Sequence, residues 1–470
     1  MSADDLFRGG LLPLAAAHDA GTHDDAHGHD DAHGCACGED GCVEVELDLD
    51  DYLAEVAAQL PPVVGSQPVA YDAVLLVGFG GPEGQDDVLP YLRNVTAGRG
   101  IPDERLEEVA VHYRARGGVS PINDQNRALR AALEAELRTR GLDLPVLWGN
   151  RNWDPYLADT LREAASAGHR RLLAIVTAAY SSYSGCRQYR EDLAGALEAT
   201  GLTGTLHIDK VRQYFDSPGF VAPFVEGVRG ALARLRGAGA GADADADAND
   251  DASAAGGASA SDGSAGEEPS GGVRVLFCTH SIPTAAAEAT GPQSGPDGPV
   301  GWADGGAYEA QHYAVANAVM AAVDDTVPWE LVYQSRSGDP RTPWLEPDIN
   351  DRLAELAADP DERPDAVVIV PLGFVSDHME VLWDLDTEAL ATCAELGLRA
   401  ERVPTPRVHP AFVAGLVDLV AERTAAPTRV PTQATCGAAG PLGPWYDRCR
   451  PDCCVDPRGR VRPTVAEDVG

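Results

Sequence analysis

His280 closes the apolar run VRVLFCTH and opens the turn CTHSIP. A histidine at the carboxyl end of a buried strand stands where α/β proteins bind their ligands. Its imidazole can hold a transition metal or move a proton near neutral pH. A second constellation follows the run AVVIVPLGF. Asp377, Glu380, Asp384 and Glu388 recur at spacings of three, four and four, which would place them on one face of a helix. Phe374, Val375, Met379, Leu382 and Trp383 surround them with apolar side chains. Crowded carboxylates beside apolar walls favour cations or shifted proton affinity. The column is therefore read as a route for divalent metal inward or protons outward. A solvated acidic face and a locally hydrogen-bonded histidine are the plainer readings of the same residues.

The chain carries 10 cysteines. Cys35, Cys37 and Cys42 lie near the start, Cys186, Cys278 and Cys393 stand singly, and Cys436, Cys449, Cys453 and Cys454 close the chain. The opening MSADDLFRGG lacks a basic and then apolar leader, so a secreted disulfide framework is a poor explanation. Terminal clustering plus isolated internal thiols indicates metal or cluster ligation. Cys278 and Cys393 are read as core residues. The early tract with His18, His23, His27, His29 and His33 is read as a weak metal binder or a solubilising tail.

Several loops would line a cleft. GFGGPEG (78–84) lacks the spacing of the dinucleotide and P-loop motifs, so no nucleotide is expected. YRARGGVSPIN, GNRNWDPYL and YQSRSGDPRTPWLEPD bring Arg114, Arg116, Ser120, Arg151 and Arg336 beside Trp153 and Trp344. Arginines with aromatic neighbours suit an anionic planar ligand.

The elements that must position these groups alternate. AVLLVGFG, PVLWGN, RRLLAIVTAAY and TLHIDKV are predicted strands of a first half. VRVLFCTH, WELVYQS, DAVVIVPLGF and LRAERVP repeat the scheme, with helical patterns between. The fold class expected is α/β: two Rossmann-like, doubly wound parallel-sheet halves around a cleft. The partition expected is a disordered His/Asp/Cys-rich tail (1–68) with an amphipathic piece near Val43–Leu60, and a first half (69–236). A flexible acidic Gly/Ala/Asp/Ser linker (237–272), a second half (273–428) and a Cys-containing extension (429–470) follow.

The formal net charge is −38, and Lys210 is the one lysine. Such a chain repels nucleic acid and anionic lipid. No run of 18 apolar residues occurs, so no transmembrane segment and a cytoplasmic location are expected.

FGGPEG, RARGGVSPIN, GNRNW, AYSSYSGCRQYRED, THSIPTA, YQSRSGDPRTPWLEPD and GFVSDHMEVLWDLDTEA together resemble the ferrochelatases, nearest the actinobacterial coproporphyrin type, over about residues 71–425. The resemblance implies insertion of Fe²⁺ into coproporphyrin III, with protoporphyrin IX as the alternative substrate. Another tetrapyrrole chelatase, or a non-catalytic haem- or iron-binding protein, is the rival reading. By resemblance His280 and Glu380 match the iron-binding pair, and Asp377, His378 and Asp384 fall in the acidic motif. Ser120 and Tyr189 match porphyrin contacts, joined by Phe79, His112, Tyr113 and Arg116. Phe79 stands where firmicute relatives have a tyrosine able to ligate the porphyrin iron, and a phenyl ring cannot ligate. Cys186, Cys449, Cys453 and Cys454 resemble the ligands of a [2Fe–2S] cluster. Zinc is the other candidate, and Cys436 is the alternative ligand, because adjacent cysteines are sterically awkward on one cluster. The partners implied are coproporphyrin III, Fe²⁺ and, transiently, neighbouring haem-pathway enzymes.

Overall fold

The computed structural model describes residues 49–60, 68–98, 100–246, 272–337, 341–424, 442–446 and 448–466, with side chains left out for 238–246. The early His/Cys tract, Cys436 and most of the segment read as a linker lie outside these residues.

Apolar runs such as AVLLVG and AVVIV are buried at every position. Strands covered by helices on both faces require this. β1 (Ala73–Gly78), β2 (Val146–Asn150), β3 (Arg171–Val176) and β4 (His207–Lys210) form one sheet in the order β2-β1-β3-β4. β5 (Val273–His280), β6 (Trp329–Gln334), β7 (Ala366–Val370) and β8 (Arg399–Arg402) form another in the order β6-β5-β7-β8. All these neighbours pair in parallel. The two halves thus repeat one topology, as the alternating pattern predicts. In each, strand order reverses between the first and third strands, where a crevice opens at the carboxyl ends.

One packed core joins the halves. Val74 and Ile175 of the first sheet share it with Val275 and Val368 of the second. Helices Pro218–Ala246 and Pro410–Thr424 supply Phe220, Phe224 and Phe412 to the same core. Their axes come close because Gly219 faces Ala411 and Gly415, where a Cβ would collide with backbone.

Two boundaries differ from the sequence reading. Helix Pro218–Ala246 continues into the first residues of the segment read as linker. Helix Leu49–Gln59 lies within the segment read as tail, near the expected amphipathic piece. Its Leu53 and Val56 are buried. Gln59 Oε1 accepts from Gly301 N at 2.9 Å, and Tyr52 OH accepts from Ala303 N at 2.8 Å. A few apolar residues therefore suffice to dock this helix on the second half. Among the described residues, no helix is long and apolar enough to cross a membrane.

Candidate active site

The residues singled out in sequence gather around the carboxyl ends of the strands that flank the two order reversals. His280 ends β5, Phe79 follows β1, and Glu380 follows β7. Gly373, in the turn after β7, lies against Thr279, where any Cβ would collide with the threonine side chain. The glycine lets this turn settle beside the end of β5, next to His280.

His280 Nδ1 contacts the Ser281 carbonyl. A carbonyl only accepts, so Nδ1 carries the proton and Nε2 is left for other chemistry. Nε2 faces Glu380 Oε1 at 3.7 Å. Burial alone would lower the His280 pKa, but the Glu380 carboxylate outweighs it and raises the value. Burial likewise opposes ionisation of Glu380, and His280 and His378 outweigh it to lower that pKa. The pair therefore calls for a positive charge between its members, either a proton or a metal ion. Two metal–ligand bonds of about 2.1 Å each can span the separation. Side-chain exposures of 30% for His280 and 17% for Glu380 leave both within reach of a ligand.

His378 stands on the other side of Glu380, with Nδ1 3.5 Å from Oε2. Burial lowers its pKa, so it stays neutral. It stands in SDHME, two residues before Glu380, within the acidic motif that the resemblance singled out.

Residues Val381–Ala389 form wide π-type turns, a geometry common at functional sites. Asp384 Oδ2 accepts from Gln334 Nε2 at 3.1 Å and from the Ser335 hydroxyl. Ser335 has left-handed backbone, φ 62°. Burial first, opposed by the Ser335 hydrogen bond and reinforced by Glu380 and Glu388, pushes the Asp384 pKa up to about 8. Glu388 is raised by burial, and its Oε1 accepts from Trp383 Nε1 at 2.7 Å. Negative charge is thus concentrated on Glu380, with Asp384 protonated behind it.

Asp377 does not belong to this column, contrary to the one-face reading. Its buried carboxylate is held by Arg402 Nη2 at 2.9 Å, by Arg407 and by Thr405 Oγ1 at 3.2 Å. Those partners lie 25 to 30 residues further along the chain, so local spacing could not reveal them.

The remaining candidates build the walls. Phe79, Tyr91, Tyr113 and Met379 share one apolar cluster. His112 stacks on Trp383 with ring centroids 4.1 Å apart and planes 5° from parallel. Arg116 Nη2 donates to Leu382 O at 3.0 Å and Thr387 Oγ1 at 2.8 Å, which braces the π turns from the first half. Ser120 is buried behind the 79–84 loop, its N–H on Pro82 O at 2.9 Å. Tyr189 is buried, with the Arg151 guanidinium 4.4 Å from its ring centroid and 5.6 Å from that of Phe79.

Such a site presents an imidazole, an ionised carboxylate and a protonated acid beside aromatic walls. The model of the family described as Ferrochelatase matches residues 71–424. The chain belongs to the ferrochelatase family. A ferrochelatase-family relative from Leifsonia xyli, named coproporphyrin III ferrochelatase, is 59% identical over 404 residues, covering 85% of this chain and 95% of its own. One from Streptomyces griseus with the same name is 50% identical over 406 residues, covering 85% and 96%. Among solved structures, SirB from Bacillus subtilis with Fe³⁺ aligns at 11% identity with a TM-score of 0.39, over 75% of this chain and 97% of that one. That likeness is too low to carry an argument.

Away from the cleft, Cys186, Cys449, Cys453 and Cys454 form a buried cluster of their own. Cys186 Sγ lies 3.9 Å from Cys449 Sγ, and Cys453 Sγ lies 3.7 Å from Cys454 Sγ. Hydrogen bonds from Cys186 and Cys453, then the charges of Arg190 and Lys210, hold the Cys449 thiol well below its ordinary range. No three His, Cys, Asp or Glu side chains among the described residues are arranged to hold one metal ion. Cys278 and Cys393 are buried in the second-half core, as expected.

Asp384 carries a stability signature. Its carboxyl keeps its proton in the folded protein to about pH 8, against an ordinary value of 3.8. Its contribution is therefore complete below the ordinary value and is lost as pH rises through the folded one. Asp384→Asn should remove that slope, so thermal melts between about pH 5 and about pH 9 should fall more steeply for the wild type. Parallel curves would show that Asp384 ionises normally.

Proposed function

We propose that this ferrochelatase-family chain inserts Fe²⁺ into coproporphyrin III to give the iron porphyrin and two protons. The observation that carries this reading is the His280–Glu380 pair, set at 3.7 Å where the two crevices meet aromatic walls. The names of the relatives, coproporphyrin III ferrochelatase, support the substrate. The reaction balances without a redox partner: Fe²⁺ replaces two pyrrolic protons, and the metal stays divalent.

The residues divide the work as follows. Neutral His280 and ionised Glu380 take Fe²⁺ from solvent as transient N and O ligands. The metal displaces the positive charge that the pair otherwise satisfies with a proton. As Fe²⁺ passes to the macrocycle, the freed imidazole accepts one pyrrolic proton through Nε2 and the freed Glu380 carboxylate accepts the other. Asp384, held by Gln334 and Ser335, exchanges protons with the pair, and Glu388 carries them outward. Phe79, Tyr113, His112, Ser120, Tyr189 and Arg116 are assigned to the porphyrin enclosure. Phe79 leaves the product iron without a ligand from this position. A rival sensor reading would need the pair disabled, and both members are present. A cytoplasmic setting belongs to the same proposal, in keeping with the absence of any membrane-crossing helix among the described residues.

Cys186, Cys449, Cys453 and Cys454 are assigned to a [2Fe–2S] cluster. A tetrahedral metal with bonds of about 2.3 Å sets its thiolates about 3.8 Å apart. The Cys186–Cys449 and Cys453–Cys454 separations of 3.9 and 3.7 Å match that spacing, which a tetrahedral zinc site would share. Cys454 has left-handed backbone, φ 53°, which lets consecutive cysteines serve together. Lys210 and Arg190 would offset the negative charge of the thiolates. Such a cluster supplies a one-electron centre and a covalent tie between the internal segment and the chain's end.

Two measurements follow. His280→Ala and Glu380→Gln should each slow iron insertion at least about 100-fold while the protein stays folded. Near-normal turnover by either variant removes that residue from the mechanism, and faster turnover of protoporphyrin IX in competition reassigns the substrate. The anaerobically purified, porphyrin-free protein should be coloured, and Cys449→Ser should bleach it and lower Tm. A colourless protein that holds only zinc refutes the cluster.

A further inference from the structure

A groove of about 760 Å³ opens beside the cleft and is not used by the pair. Arg151, Asn152 and Gln188 line one side, and Arg458, Arg460 and Arg462 from the chain's end line the other. Arg151 links this groove to the cleft, since its guanidinium also lies over the rings of Phe79 and Tyr189.

The arginine segment is held in place at both ends. The paired thiols of Cys453 and Cys454 precede it. After it, Val465 N donates to Arg190 O at 3.3 Å, and Arg190 Nε donates to Val465 O at 2.9 Å. Between these anchors, buried Asp456 shapes the turn. It accepts from Arg458 N at 3.0 Å and from Arg460 Nε at 2.7 Å.

Charge pairing in the groove is uneven. Asp192 is engaged by Arg151, Glu191 by Arg187 and Tyr183, and Asp456 by Arg460, while Glu198 also lines the groove. Among the described residues, Arg458 and Arg462 have no carboxylate within salt-bridge distance. Burial and the neighbouring Arg460 and Arg462 charges lower the Arg458 pKa, as expected where guanidinium groups crowd. In a chain of net charge −38 this is an exceptional place. A polycarboxylate is repelled by the bulk field and needs such a local cation pair to dock.

We propose that this groove is a carboxylate subsite of the porphyrin cleft, in which Arg458 and Arg462 receive a propionate of the tetrapyrrole. The proposal rests on the porphyrin reading above and deepens it. The subsite would favour a substrate with four propionates over one with two, because only the former places carboxylates on more than one edge of the ring. It also gives the Cys-containing extension a role in substrate choice.

The test is the Arg458→Ala/Arg462→Ala double variant of the full chain, with Arg462→Ala alone as the milder change. KM is measured for coproporphyrin III and for protoporphyrin IX, and Kd for each by porphyrin fluorescence. The expected result is that the KM of coproporphyrin III relative to that of protoporphyrin IX rises about 10-fold in the double variant, with a matching change in Kd. The wild-type preference should shrink as salt is added. An unchanged ratio, in either KM or Kd, overturns the subsite while leaving the iron-insertion reading intact. Failure of the wild type to accept either porphyrin sinks that reading instead.

Discussion

A neutral imidazole nitrogen facing an ionised carboxylate across 3.7 Å is an unfinished interaction. The Ser281 carbonyl fixes it, because it occupies the Nδ1 proton and turns the Nε2 lone pair toward Glu380. Left alone, the pair recruits a proton, and this appears as a raised His280 pKa and a lowered Glu380 pKa. Offered Fe²⁺, it exchanges one cation for another. On the proposed reading, metal delivery and proton removal are then the same exchange run in opposite directions, at the same two atoms. The neighbouring groups keep that exchange local. His378 stays neutral, Asp384 is protonated, and so net charge does not accumulate along the acidic turns.

The two sheets exist to hold this geometry. Each repeats one strand order, and each opens a crevice where that order reverses. His280 and Glu380 come from the second sheet, whereas Phe79, Tyr113 and the Arg116 brace come from the first. A shared core through Val74, Val275, Phe220 and Phe412 fixes the halves against each other. Close approach at Gly219 and Gly373 removes the slack that a larger side chain would introduce.

Much of this was legible in sequence, for physical reasons. Central strands covered on both faces must be continuous apolar runs, so strands such as β1 and β7 and the placement of His280 at a strand end could be read directly, while the polar edge strands HIDK and RAER followed from the alternation around them. Cys186, Cys449, Cys453 and Cys454, grouped in sequence only through the resemblance, are buried together. What stayed hidden depends on distant partners. Asp377 looks like a column member until Arg402 and Arg407 close on it. The protonation of Asp384 is set by burial and by Glu380 and Glu388, against the hydrogen bond from Ser335, 49 residues earlier. The left-handed backbone of Cys454, φ 53°, is likewise announced by no local pattern. Helix Leu49–Gln59 sits in a polar segment, and its docking rests on two buried side chains and contacts to Gly301 and Ala303.

The thiol pack and the arginine segment tie the end of the chain to the same region of the first half. Cys186 and Tyr189 are three positions apart, and Arg187 between them donates to Pro451 O at 2.8 Å. All of this matters to the reaction only if the pair at the cleft takes a metal. The most direct measurement is anomalous diffraction from porphyrin-free crystals soaked with Co²⁺ as a stand-in for Fe²⁺. The account predicts a cobalt peak between His280 Nε2 and the Glu380 carboxylate, with bonds of about 2.0–2.2 Å. Cobalt bound elsewhere, with that pair unligated at saturating metal, would contradict it.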